Sequence, residues 1–217
     1  MPGTGAGVSI HNESPRRVVL ASANPGKLAE FSAILSTAGL NIVSQSSLGV
    51  DEAPEPHSTF LENALAKARH ASRQTGLPAL ADDSGLCVAA LGGAPGVHSA
   101  RYAALQGGSR GDAANNAQLL RALQHVRDRR GFYVAVLIYL RSADDPLPLV
   151  AQGLWHGEVL DAPRGQHGFG YDPLFHVPAL GKTVAQLPAE LKNRHSHRAL
   201  ALANLLQQLR TDAVRRT

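Results

Sequence analysis

The chain has 217 residues, 44% of them apolar and 18% charged, with 21 Lys and Arg against 17 Asp and Glu for a net charge of +4. This is the composition of a folded protein with a substantial core, and it excludes a low-complexity or disordered chain. No apolar run approaches the ~18 residues of a membrane helix, and 5% aromatic residues are too few for an extended surface that stacks nucleic-acid bases.

The chain opens on a Gly-, Ser-, Asn- and Pro-bearing stretch without the apolar segment of a signal peptide, so residues 1–15 read as a disordered leader to one domain, 16–213. "RVVLAS" (17–22) reads as a strand, and "GKLAEFSAILSTAG" (26–39) as a helix closed by Gly39. A short strand, 41–45, precedes a loop broken by Pro54 and Pro56. Thr59 then caps a helix that ends at Gly76, and a strand is expected at 79–83. Its neighbour Cys87, the one cysteine, rules out an internal disulfide and reads as a small core residue in a reducing cytosol.

A Gly-rich stretch, 92–108, is too irregular for a long element, and 112–125 reads as a helix. The apolar segments 131–141 and 148–160 flank "SADDP" and predict a hairpin. A Gly and aromatic loop, 165–175, leads to a last helix at 197–212. The order βαβαβ, then α, ββ and α, predicts an α/β protein with a mixed sheet. The basic excess permits a polyanionic ligand without demanding one, since its densest groups, 127–131 and 215–216, flank helix ends.

Five stretches could carry chemistry, and each also has an ordinary reading. "ASANPGK" (21–27) joins a strand to a helix start, where backbone N–H groups, Ser22, Asn24 and Lys27 could meet an anion. It lacks the Walker A pattern, having Ala21 and Leu28 at two required positions. "LPALADDSGL" (77–86) ends an apolar run on Asp82 and Asp83, which suits a polar turn or a site at a strand end. Strand alternation would send those two acids to opposite faces.

In "TFLENALAKA", Phe60, Leu61, Ala64, Leu65 and Ala68 form the expected core face, while Asn63 and Lys67 share another and could reach one ligand, with Glu62 nearby. Glu55, pinned between two prolines, is a stiffened loop acid that could bind a metal. In "GFGYDPLF" (168–175), Phe169 or Tyr171 could stack on a purine or pack beneath the loop. "KNRHSHR" (192–198) reads as a basic helix start or a clamp for purine and phosphate; its His-x-His pair lacks a second cluster that would make a zinc site.

Taken together and in this order, "SANPGK", "TFLENALAKA", "ADDSGLCVAALGGAPGVHSARYA", "GFGYDPLF" and "KNRHSHR" resemble the signature blocks of the Ham1-like inosine triphosphate pyrophosphatases, over roughly residues 17–210. The resemblance implies a long mixed sheet flanked by helices, two lobes with a cleft between them, and a cytoplasmic homodimer. It implies Mg²⁺-dependent hydrolysis of ITP, dITP and XTP to the monophosphate and pyrophosphate. By block matching, Ser22, Ala23, Asn24, Pro25, Gly26 and Lys27 look like the phosphate loop, and Glu55 and Asp83 like the metal-binding acids.

Asp83 also looks like the general base, and Ser84, Phe169, Gly170, Tyr171, Asp172, Lys192, His197 and Arg198 look like the substrate pocket. Ser22-Ala23-Asn24 stands where the family commonly has Thr-Gly-Asn, His167 replaces a frequent glycine, and Glu52 rivals Glu55 as the loop ligand. A pyrophosphatase for other modified nucleotides is a second enzyme reading. A basic nucleic-acid-binding module is the reading from another class, and the clustered acids argue against it.

Overall fold

The computed structural model describes residues 16–36 and 39–215, so the expected leader at 1–15 lies outside the described residues. Strand β1 (Arg16–Leu20) leads through helix α1 (Pro25–Leu35) to β2 (Leu40–Ser44), and α2 (Phe60–Thr75) leads to β3 (Ala79–Val88). Helix α3 (Asp112–Ala122) precedes the hairpin of β4 (Arg130–Leu140) and β5 (Leu149–Val159). Short strands β6 (Phe175–Val177) and β7 (Lys182–Thr183) follow, then α4 (Ala189–His195) and α5 (His197–Arg215). All seven strands form one sheet in the order β2-β1-β3-β4-β5-β6-β7. It is mixed as expected, with β1 parallel to β2 and β3 and the remaining pairs antiparallel.

Helices cover both faces, each against side chains of one strand parity. Phe31 and Leu35 of α1 and Ala201, Leu202 and Leu205 of α5 pack with Leu20, Leu80, Leu137 and Tyr139. On the other face Ala64, Ala68 and Ala71 of α2 meet Val19, Ala79, Ala81, Ile138 and Leu140, the small helix residues allowing close approach to the strands. Gly153 serves the same end for α5, because a Cβ there would collide with the His197 carbonyl and the Ala201 nitrogen. A third cluster around Leu86, Tyr133, Trp155 and Phe175 takes in Leu119 and Leu123 from α3 and the residue after it.

Several expectations are corrected. Strand β3 does not stop at Asp83 but runs on to Val88, paired with β4 at ten positions. The Ser84-Gly85 pair that reads as a turn stays extended because Gly85 admits the backbone of a neighbouring segment: a Cβ would lie 2.5 Å from both Gly96 O and Ser99 Oγ. Helix α1 ends at Leu35 rather than Gly39, and α3 at Ala122. On α2, Leu61 is exposed whereas Asn63 is fully buried. Strands β6 and β7 and helix α4 are too short to show a period in the sequence.

Candidate active site

The site begins where the sheet divides. Strand β1 pairs with β3 at Val19–Ala79 and Leu20–Leu80, after which the two strands separate. The edge of β3 is covered again near its end, where Leu86 N donates to Ser99 Oγ at 2.9 Å and Val88 N to Ala94 O at 3.1 Å. Between those limits Asp82, Asp83, Ser84 and Gly85 lie along a cleft opened by the divergence, the kind of switch point where α/β sheets bind ligands.

Alternation places the two acids on opposite faces. On the α1–α5 face, Asp82 Oδ2 lies 2.9 Å from Lys27 Nζ and 3.1 Å from Arg198 Nε. Arg198 Nη2 also donates to Ser84 Oγ at 3.2 Å. Burial alone would raise the Asp82 pKa, but Lys27 and Arg198 outweigh it and hold the carboxyl well below the usual carboxylate range.

On the α2 face, Lys67 Nζ donates to Asp83 Oδ1 at 2.9 Å, Glu55 Oε1 at 2.8 Å and the Asp82 carbonyl at 2.9 Å. Arg101 grips Glu55 a second time, through Oε2 at 3.1 Å and the backbone carbonyl at 3.2 Å. Burial opposes ionisation of Glu55, yet Lys67 and Arg101 bring its pKa below the ordinary value. Burial dominates at Asp83 and, with the Glu55 and Asp82 charges, raises its pKa despite Lys67. Asp83 Oδ2 is buried with no hydrogen-bond partner.

The loop after β1 differs from its sequence reading in one respect. Asn24 is the N-cap of α1, its side chain accepting from Gly26 N at 2.9 Å and Lys27 N at 3.3 Å, with Pro25 at the first helical position. Ser22 Oγ accepts from Asn24 N at 3.1 Å, and Glu52 Oε1 from Ala23 N at 3.2 Å. Several amides read as anion donors are thus engaged within the protein, and Lys27 carries the charge. Asn63 does not join Lys67 at a ligand: it accepts from His57 N and donates to His57 O, fixing the loop that carries Glu55. Glu62 is likewise spent on the cap, accepting from Thr59 Oγ1 at 2.6 Å.

Two cavities meet at Lys27 and Ala100. One, of about 470 Å³, is polar and lined by Ser22, Glu52, Glu55, Lys67, Asp82 and Arg101 among others. The second, of about 290 Å³, is bounded by Ser84, Tyr133, Phe169 to Asp172, Lys192, His197 and Arg198. Phe169 is 49% exposed and carries the Lys192 ammonium 4.5 Å from its ring centre, whereas Tyr171 is 3% exposed and donates its hydroxyl to Ser99 O. Tyr171 therefore packs and Phe169 is presented.

Asp172 serves as the hub of this pocket, accepting from Tyr133 OH at 3.1 Å, Lys192 Nζ at 2.6 Å and Phe169 N at 3.1 Å. The His197 ring stacks on Tyr133 at 4.8 Å. Burial, helped by Arg198, pushes its pKa down to about 3, so the imidazole is neutral, and Nδ1 has no hydrogen-bond partner.

A sequence profile of the Ham1 family matches residues 18–208. The chain belongs to the Ham1 family. A dITP/XTP pyrophosphatase of Bordetella pertussis is 67% identical over 201 residues, covering 93% of this chain and 94% of that protein. One from Neisseria meningitidis serogroup B is 54% identical over 198 residues, covering 91% and 98%. Among solved structures, a HAM1 protein from Coxiella burnetii superposes with a TM-score of 0.85 at 45% identity, covering 90% of this chain and 99% of that one.

In this Ham1-family cleft, Ser22, Asn24, Lys27, Glu55, Ser84, Phe169, Gly170, Tyr171, Asp172, Lys192, His197 and Arg198 line one or both cavities, whereas Ala23 and Gly26 line neither and Asp83 meets the polar cavity through its bond from Lys67. Tyr133 and Arg101 were not singled out in the sequence. Tyr133 sits in an apolar run, and Arg101 in the quoted "HSARYA" block without a charged neighbour. Among the described residues no group of three or more His, Cys, Asp or Glu side chains is placed to hold a metal. Glu55 and Asp83 do converge on a single cation, the Lys67 ammonium, and Asp83 Oδ2 remains an orphaned buried acceptor. That donor set suits a hard divalent ion that takes its other ligands from water and phosphate. No helix of the described residues is long and apolar enough to cross a membrane.

Proposed function

We propose that this chain hydrolyses non-canonical purine nucleoside triphosphates, ITP, dITP and XTP, to the monophosphate and pyrophosphate with Mg²⁺. The observation that carries this reading is the junction of an ion-lined cavity with an aromatic pocket at Lys27. Such a pair accommodates a polyphosphate chain on one side and a base on the other. The names of the Ham1-family relatives, dITP/XTP pyrophosphatase, support it.

The base lies against Phe169, with its 6-position toward Arg198 and His197. A guanidinium only donates hydrogen bonds, so it complements the 6-oxo acceptor of hypoxanthine or xanthine and opposes the 6-amino group of adenine. A site built to donate to the 6-oxo group rejects a base lacking that acceptor on the order of 10⁴-fold. The phosphates occupy the polar cavity, where Lys27, Lys67 and Arg101 offset their charge.

Glu55 and Asp83 would hold Mg²⁺, which when bound neutralises charge on the pyrophosphate leaving group. Asp83 orients a water at the α-phosphorus and takes its proton, a role supported by the carboxylate oxygen Oδ2, which has no hydrogen-bond partner within the protein. No covalent intermediate is needed. Activity as a homodimer is part of this reading, with Val150 and Leu154, both exposed on β5, as apolar contact points. The protein acts in the cytoplasm, where its substrates arise.

A panel of canonical and non-canonical nucleoside triphosphates with Mg²⁺, with products identified by phosphorus NMR, tests the proposal. Monophosphate and pyrophosphate from ITP, dITP and XTP with little turnover of ATP is the expected result. Orthophosphate and diphosphate as products, or equal turnover of ATP and ITP, would refute it. Preferential turnover of a modified pyrimidine nucleotide would move the reading to the second enzyme class.

A further inference from the structure

Helix α3 has been given no role so far, yet Asp112 in its first turn lines the aromatic pocket and its first turns grip both walls of the cleft. Asp112 Oδ2 accepts the Gly170 N–H at 2.6 Å, and Asn116 Nδ2 donates to the Gly170 carbonyl at 2.8 Å. Asn115, between them, accepts from Ala103 N at 2.9 Å and donates to Ala100 O at 3.1 Å, bracketing the backbone of Arg101.

An acid in the first turn of a helix ordinarily serves the helix dipole. Asp112 instead commits an oxygen to a residue 58 positions away. Asn116 keeps its own Oδ1 buried and unpartnered while its amide holds the loop, a cost that a leucine there would avoid.

Gly170 stands at φ +62°, where a side chain is disfavoured, between Phe169 and Tyr171. Tyr171 is already anchored to Ser99, and Phe169 N to Asp172. The clamp on Gly170 removes the remaining backbone freedom between those anchors, so the Phe169 ring is set over the pocket before a ligand arrives.

We infer that Asp112 and Asn116 are positioning residues for the nucleotide base, acting through Gly170 on Phe169 and leaving the phosphate cavity untouched. This rests on the base pocket proposed above. Preorganisation of this kind reduces the ordering that binding must supply, so its loss falls on base binding.

Steady-state kinetics with ITP, inhibition by pyrophosphate, and hydrogen exchange at the Gly170 amide test the inference on Asp112→Ala, Asn116→Leu and Asp112→Asn. Expected for the first two is a rise in KM for ITP of about tenfold, with kcat and pyrophosphate inhibition within roughly threefold of the parent. Gly170 exchange should accelerate in Asp112→Ala. Asp112→Asn, which keeps an acceptor for the Gly170 N–H, should restore most of both effects. Unchanged KM and unchanged exchange in Asp112→Ala would overturn the inference, as would a parallel loss of pyrophosphate binding. Failure of the parent chain to turn over ITP would overturn the base-pocket reading and this role with it, while the substrate-free exchange experiment would still report whether the clamp exists.

Discussion

Lys27 and Asp82 form an ion pair of 2.9 Å in which the carboxylate is completely shielded from solvent. With Arg198 as a second partner, one acid in the cleft holds both a cation at the junction of the two cavities and a cation of the aromatic pocket. Truncating it strands two charges in a buried setting. Asp82→Ala is therefore expected to destabilise the fold by about 3–5 kcal/mol, measured as a fall in the urea midpoint at an unchanged m-value. A loss comparable to that of an exposed ion pair would show that Lys27 and Arg198 find other partners.

Asp83 presents the opposite case. Because burial raises its pKa, the ionised form that accepts a proton is lost on acidification earlier than for an ordinary carboxylate. In the metal-free protein an NMR titration of the Asp83 carboxyl should have its midpoint above the usual Asp range of ~4, and bound Mg²⁺ should lower it. Asp83→Asn should lower kcat by at least ~10² while remaining folded by circular dichroism, and a near-normal rate would assign the base elsewhere.

His197 links pH to stability. Its folded pKa of about 3 lies below the ordinary 6.5, so between those values the unfolded chain binds a proton that the native chain refuses. Stability is complete above pH ~6.5 and falls on acidification at about 1.4 kcal/mol per pH unit until ~3. Urea unfolding near pH 6.5 and pH 5 should differ by about 2 kcal/mol more in the parent than in His197→Phe, a variant that keeps the ring stacked on Tyr133.

Arg101 reaches the chemistry through Glu55, which it holds by carboxylate and carbonyl together. Arg101→Ala should raise the Mg²⁺ concentration for half-maximal activity several-fold, with a kcat/KM loss on the order of tenfold. Arg101→Lys, unable to form the two-point contact, should recover little. A Mg²⁺ titration of turnover at fixed ITP measures both.

Gly153 offers a test remote from the reacting atoms. A methyl group there meets the backbone of α5 rather than a flexible side chain. Gly153→Ala should therefore destabilise by about 1–3 kcal/mol or more and, because α5 begins at His197, weaken ITP binding too. Thermal unfolding together with KM reads the two effects.

Much of this arrangement is legible in the sequence because it rests on local rules. Thr59 and Gly76 bound α2 as N-cap and left-handed C-cap, the β4–β5 hairpin follows its turn signal, and the alternation of Asp82 and Asp83 already separates their roles. What stays hidden depends on distant partners. Ser84-Gly85 reads as a turn until the segment at 96–99 needs the missing Cβ. Asn63 reads as a partner of Lys67 at one ligand until the His57 backbone claims both ends of its amide. Arg101 and Asp112 act on residues far along the chain, and no period or spacing marks such contacts.

The division of the sheet has a mechanical consequence. Strand β3 is tied to β4 at ten positions but to β1 at two, so the parallel and antiparallel halves are joined across the cleft by few rungs of backbone. A nucleotide lying from Lys27 to Ser84 would span that seam and supply ties that the strands themselves omit. Substrate would then act as a removable part of the sheet, bracing the two halves against each other for as long as it is bound.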